Sequence, residues 1–156
     1  MSTINGLPAH VLLVHLIVVL APLTAALAIL CAVWPAARER LVWLVVVLSA
    51  VVAVVTPLTT DAGEWLEHQV GRSPAVHAHA HLGDTMIYFA LALLVAAALL
   101  AVVHVVAGRG RTLPRVLSVI VAVFVVAAGV STIVQVYRIG DSGAKATWGQ
   151  VSSSPT

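Results

Sequence analysis

The chain has 156 residues, 61% of them apolar and 9% charged, with a formal net charge of +2. A mean hydropathy of +1.07 excludes an ordinary soluble domain and leaves room for one membrane domain without a separate soluble catalytic unit. Basic residues are too few and too scattered for nucleic-acid binding, and the single cysteine, Cys31, lies in an apolar run as a small packing residue.

Four apolar runs, at 9–34, 41–60, 82–107 and 114–139, each supply about 20 residues or more. At ~1.5 Å per residue each crosses a ~30 Å hydrocarbon core. A helix satisfies its own backbone hydrogen bonds in lipid, so the sequence predicts an all-α integral membrane four-helix bundle. The first run is too long for a signal peptide, and no Lys or Arg precedes Arg38, so it reads as a retained span. Pro22 should kink it. Short connections at 35–40 and 108–113 predict two antiparallel helical hairpins. Pro57 should loosen the end of the second helix, with Thr56, Thr59 and Thr60 back-bonding to freed carbonyls. Residues 61–81 read as a polar connecting loop and 140–156 as a polar tail.

Arg38, Arg40, Arg109, Arg111 and Arg115 gather at one end of such a bundle, against Arg72, Arg138 and Lys145 at the other. The positive-inside bias makes the first end cytoplasmic and puts both termini outside. Trp34 and Trp43 at inner helix ends, and Trp65, Tyr137 and Trp148 at outer ones, read as interfacial anchors. Small residues at four-residue spacing, Ala21/Ala25, Ala28/Ala32, Ala92/Ala96 and Ala128/Thr132, allow close helix approach. The hairpins also read as parallel repeats. One opens Ala9-His10 and closes Asp61-Ala62-Gly63; the other opens Ala78-His79 and closes Asp141-Ser142-Gly143. That symmetry would bring two histidine-bearing helix starts and two Asp-x-Gly turns together at the outer face.

Seven histidines in so uncharged a chain are the main chemical signal. His10, His15, His68, His77, His79 and His81 fall on the outer side, and only His104 lies near an inner helix end. His15 lies within the first helix, where a polar group needs a partner: a hydrogen bond to a neighbouring helix, or a metal or haem. Extended, His77, His79 and His81 point one way; helical, His77 and His81 pair near Asp84 and Thr85, suiting zinc or copper. Glu64, Glu67 and His68 share a face if helix two continues, as an amphipathic cap. Mid-membrane acids are missing, which argues against proton-coupled transport, and no phosphate loop, CxxC or nucleophile elbow supports an enzyme.

The opening Asn5-Gly6-Leu7-Pro8-Ala9-His10 with Leu13-Val14-His15 resembles a bacterial membrane family, domain of unknown function 2231. Gly63-Glu64, His79-Ala80-His81-Leu82-Gly83-Asp84 and Arg138-Ile139-Gly140-Asp141-Ser142-Gly143-Ala144 continue the likeness over nearly the whole chain. The family pattern has Gly-Leu-Pro-Leu-His-Pro at the first block, His-Ala-Glu-Leu-Gly-Glu at His79–Asp84, and often histidine where Asp141 stands. The resemblance implies a bacterial inner membrane and, from relatives fused to Rieske-type iron–sulfur domains, redox company.

These readings converge on a His-lined outer site for haem b or a transition metal. His15 and His79 are the expected cofactor ligands, with His10, His81 and His77 as metal-ligand alternates. The lipid bilayer is one partner, and a membrane redox protein or larger complex another. The rival reading is a non-catalytic accessory subunit of a larger membrane complex; a small channel or transporter is third.

Overall fold

The computed structural model describes residues 3–4, 7–70 and 73–148; Asn5, Gly6, Arg72 and residues 149–156 lie outside them. After two paired two-residue strands, β1 (Thr3–Ile4) and β2 (Leu7–Pro8), the described chain is helical. The helices are α1 (Ala9–Val33), α2 (Pro35–Val70), α3 (Pro74–Asp84), α4 (Met86–Gly108) and α5 (Arg115–Trp148). Helices α3 and α4 follow each other across Thr85 as one membrane-length segment, making four spans. Outward side chains such as Val19, Val54, Tyr88 and Val123 are exposed and apolar, as a lipid-facing surface requires. The chain is an all-α membrane four-helix bundle.

Local sequence sets the breaks. Pro35 forces Trp34 into extended backbone (φ −126°, ψ 105°), so Trp34 alone separates α1 from α2. The connection expected at 35–40 is therefore helix. Ser73 caps α3, its Oγ accepting from Val76 N–H at 3.2 Å, with Pro74 in the first turn. Gly110, at φ 70°, closes α4: its N–H reaches the Ala107 carbonyl, and that of Arg111 reaches Val106.

The expected loop at 61–81 is a correction. Helix α2 runs on to Val70 and α3 begins at Pro74, so most of the expected loop is helix. Helix α5 likewise continues nine residues beyond 139, to Trp148, into the expected tail. Hydropathy marks where lipid ends, whereas backbone hydrogen bonding continues wherever good helix formers such as Ala62, Glu64, Leu66 and Glu67 follow. Both Asp-x-Gly segments are accordingly helical rather than turns. The threonines near Pro57 do back-bond, Thr56 to Val52 at 2.7 Å and Thr59 to Val55 at 2.8 Å. The carbonyl that Pro57 frees is that of Ala53, four residues earlier, so they satisfy its neighbours instead.

Helix α1 packs on α2 and α5, and α4 packs on the same two, so α1 and α4 lie diagonally across the bundle. Buried positions repeat along the diagonal pairs. The offset that carries His10 onto His79 carries buried Ile17, Ala21, Thr24, Ala28 and Cys31 onto buried Met86, Ala90, Leu93, Ala97 and Leu100. A second offset, Asp61 to Asp141, carries Val45, Ser49, Val52 and Thr56 onto Val125, Gly129, Thr132 and Val136. The expected hairpin repeat thus appears in the packing as a pseudo-twofold axis along the bundle. Helices approach closely at Gly129, where an added Cβ would lie 2.9 Å from Ile29 and 3.2 Å from the Ala25 carbonyl.

Candidate functional site

The axis opens at the end of the bundle that carries His10 and His79, over a cavity of about 780 Å³. Its lining reproduces the symmetry. His10 pairs with His79, Val14 with Gly83, His15 with Asp84, Ile17 with Met86, Gly63 with Gly143, and Glu64 with Ala144. Ile17 and Met86 belong to an apolar cluster with Ala21, Val52, Ala90 and Val136, which floors the cavity.

Two imidazoles face each other across the axis. The ring centroids of His10 and His79 lie 6.4 Å apart, with planes 83° from parallel. His10 Nδ1–H donates to the Thr59 carbonyl at 2.9 Å. His79 Nδ1–H donates to Ser142 Oγ at 3.0 Å, because the Ser142 hydroxyl itself donates to the Ile139 carbonyl at 2.8 Å. Thr59 and Ile139 are pseudo-twofold mates, so each ring is tied to the same turn of its return helix, once directly and once through a hydroxyl. With Nδ1 protonated, each neutral imidazole keeps its lone pair on Nε2.

Each ring also rests on a glycine of its own hairpin. A Cβ at Gly63 would stand 2.9 Å from His10 Nδ1, and one at Gly143 would stand 3.0 Å from His79 Cε1. The repeated Asp-x-Gly blocks were the sequence signal for these contacts, although the helical geometry that uses them was not anticipated. Gln135 was missed altogether. Buried in α5, its amide donates to the Leu82 carbonyl at 3.2 Å and to Thr85 Oγ1 at 2.8 Å, holding the break between α3 and α4. A lone amide in an otherwise apolar helix was the signal for it.

The other expected residues fall elsewhere. His15 lines the cavity but does not meet His79; its Nδ1 turns back to the Val11 carbonyl of its own helix rather than to a neighbour. His77 and His81 are on α3 and exposed outside the cavity, and His77 sits 3.9 Å from Glu67 across the α2–α3 connection. The set His10, His77 and His81 therefore does not assemble, because α3 is helical and turns its neighbours away from His79. Among the described residues no group of three or more His, Cys, Asp or Glu is disposed to hold a metal ion. His68 is exposed, Asp141 pairs with Lys145 at 2.7 Å, and His104 packs edge-on to Trp43 at the far end.

No curated protein and no solved structure matches this chain. A family model described as "Predicted membrane protein (DUF2231)" covers residues 6–153, so both histidine-bearing hairpins fall within one family domain. The chain belongs to that DUF2231 family of membrane proteins.

Proposed function

We propose that His10 and His79 would hold the iron of a haem, which would supply one-electron chemistry at the outer face of a bacterial inner membrane. The observation that carries this is the spacing of the pair. Two imidazole nitrogens each about 2 Å from one metal ion, with ring centres about 1 Å behind them, stand roughly 6 Å apart centre to centre. The separation of the two rings in the structure is 6.4 Å. Among the described residues no third donor joins the two imidazoles, a set that would suit haem iron better than a bare transition-metal ion. When bound, such a haem supplies a one-electron iron couple.

The residues of the chain prepare the ligands. Thr59 and Ser142 hold the Nδ1–H tautomer and orient the rings, the role that outer hydrogen bonds play at metal-ligating histidines. Gly63 and Gly143 let each imidazole lie against a helix backbone. The excess of arginine at the opposite end supports an outward site, with both termini outside.

The test is a visible absorption spectrum of detergent-purified protein from haem-replete cells, before and after dithionite. A Soret band that shifts on reduction is expected, lost in His10→Ala and in His79→Ala and kept in His15→Ala, His77→Ala and His104→Ala. A flat spectrum from the wild type, or a full band in both ligand variants, would overturn the reading.

A further inference from the structure

At the opposite end of the bundle helix α5 begins with Arg115. Further along it, Ala122, Val123, Val126, Ala127 and Val130 line a shallow apolar groove of about 460 Å³. Ala122 and Val126 are half-buried, while Val123, Ala127 and Val130 are exposed, so the groove opens outward toward lipid. Helical spacing sets Arg115 at its head. Ala122 and Val126 follow by seven and eleven residues, each within about 20° of the direction of Arg115 around the helix. At about 1.5 Å per residue, the groove starts about 10 Å deeper than Arg115. Arg115 is exposed, as is Arg111 in the connection before it, and neither side chain has a hydrogen bond or ion pair among the described residues. The pseudo-twofold mates of Arg115 and Val123 are Pro35 and Trp43, and Trp43 packs edge-on to His104 at 6.2 Å. The first hairpin therefore has neither the cation nor the small side chain at these two positions.

We infer that this face of α5 holds one anionic phospholipid, its phosphate on Arg115 and Arg111 and an acyl chain in the groove. Charge selects the head group. Arg38, Arg40, Arg109, Arg111 and Arg115 gather at this end against one acid, Glu39, and a guanidinium pairs with phosphate through parallel hydrogen bonds. The groove selects the rest, an amphiphile whose charge sits at the edge of the hydrocarbon and whose tail runs alongside the helix. A free phosphate would leave the groove unfilled. A second copy of the chain packed there side by side would bring two Arg115 side chains together, like charge against like. The site is separate from the imidazole pair and stands whether or not a haem is bound.

The experiment photolabels the full chain in lipid nanodiscs and reads the labelled residues by mass spectrometry. The probe is phosphatidylglycerol with a diazirine in its acyl chain, compared with phosphatidylcholine carrying the same chain at equal content. Labelling of residues 122–130 should be at least about fivefold stronger with phosphatidylglycerol. Arg111→Gln/Arg115→Gln should bring it down to the phosphatidylcholine level, and Val126→Phe, which fills the groove, should weaken it with either lipid. Arg38→Gln/Arg40→Gln removes the same charge from the start of α2 and should leave it unchanged. Equal labelling of the wild type by the two lipids, or labelling spread evenly over outward residues of other helices such as Val19 and Val54, overturns the site. That comparison needs no variant to fold. Equal losses in the two double-arginine variants would reduce the effect to the net charge of this end and overturn it as well.

Discussion

Replacing Gly63 by alanine tests the geometry at His10 without reference to any cofactor. The new methyl would lie 2.9 Å from His10 Nδ1 and 3.0 Å from Cε1, where ordinary contact begins at 3.4 Å. The ring must retreat by about half an ångström, and only away from α2. Thr59 stands one turn before Gly63 on that same helix, so the retreat also stretches the 2.9 Å bond from Nδ1 to the Thr59 carbonyl. Overpacking costs about 1–3 kcal/mol and a weakened hydrogen bond about 0.5–1.5, against a gain of about 1 for alanine over glycine in a helix. The balance is a loss of roughly 0.5–3.5 kcal/mol. Gly140→Ala is the internal control, since nothing lies within 4 Å of its added Cβ. It should stabilise by up to about 1 kcal/mol. Thermal unfolding in one detergent gives the two signs, and ¹⁵N spectra of labelled histidine report the His10 Nδ1–H. If Gly63→Ala raised Tm as much as Gly140→Ala and left that resonance in place, the packing of His10 on α2 would be refuted.

Three further substitutions probe the frame around the site. Gln135→Leu removes the amide that bonds Leu82 and Thr85, and should cost about 1–3 kcal/mol, with faster hydrogen exchange confined to the α3–α4 break. Ser73→Ala removes the cap of α3 and should cost about 1 kcal/mol, read as fraying of its first turn by hydrogen exchange. Gly129→Val drives a side chain into Ile29 and the Ala25 carbonyl, and should cost at least about 1–3 kcal/mol in thermal unfolding because a backbone atom cannot turn aside.

What the sequence made legible followed hydropathy. Four spans and two hairpins come from composition and connection length, and the structure agrees. Helix ends were misread for the same reason. Beyond Thr60 and Ile139 polarity rises while helix propensity stays high, so α2 and α5 run on past their apolar stretches and wall the cavity. Depth within the first helix is what singles out His15 in the sequence, whereas the closeness of His10 to His79 depends on helix packing that hydropathy does not report. The bond to Thr59 had no signal at all, because a backbone carbonyl has none in the sequence. The tie of His79 to Ser142 was visible only as the middle residue of a repeated Asp-x-Gly block.

The pseudo-twofold axis explains why so few ionisable residues can build one site. Any position lining an axial cavity is presented twice, from helices that face each other, so a single histidine per hairpin produces a facing pair. Departures from symmetry then carry the differences between the two walls. Glu64 is matched by Ala144, Glu67 by Thr147 and Thr60 by Gly140, so the α2 wall is acidic and crowded while the α5 wall is small and nearly neutral. On the haem reading, a flat ligand between His10 and His79 therefore meets two unlike edges. Moving the acid tests this. In a Glu64→Ala/Ala144→Glu protein the walls exchange character while His10, His79 and the total charge stay as they are. If bound haem orientation, read by the NMR shifts of its methyl groups, did not reverse or become mixed, the unlike walls would have no part in seating it.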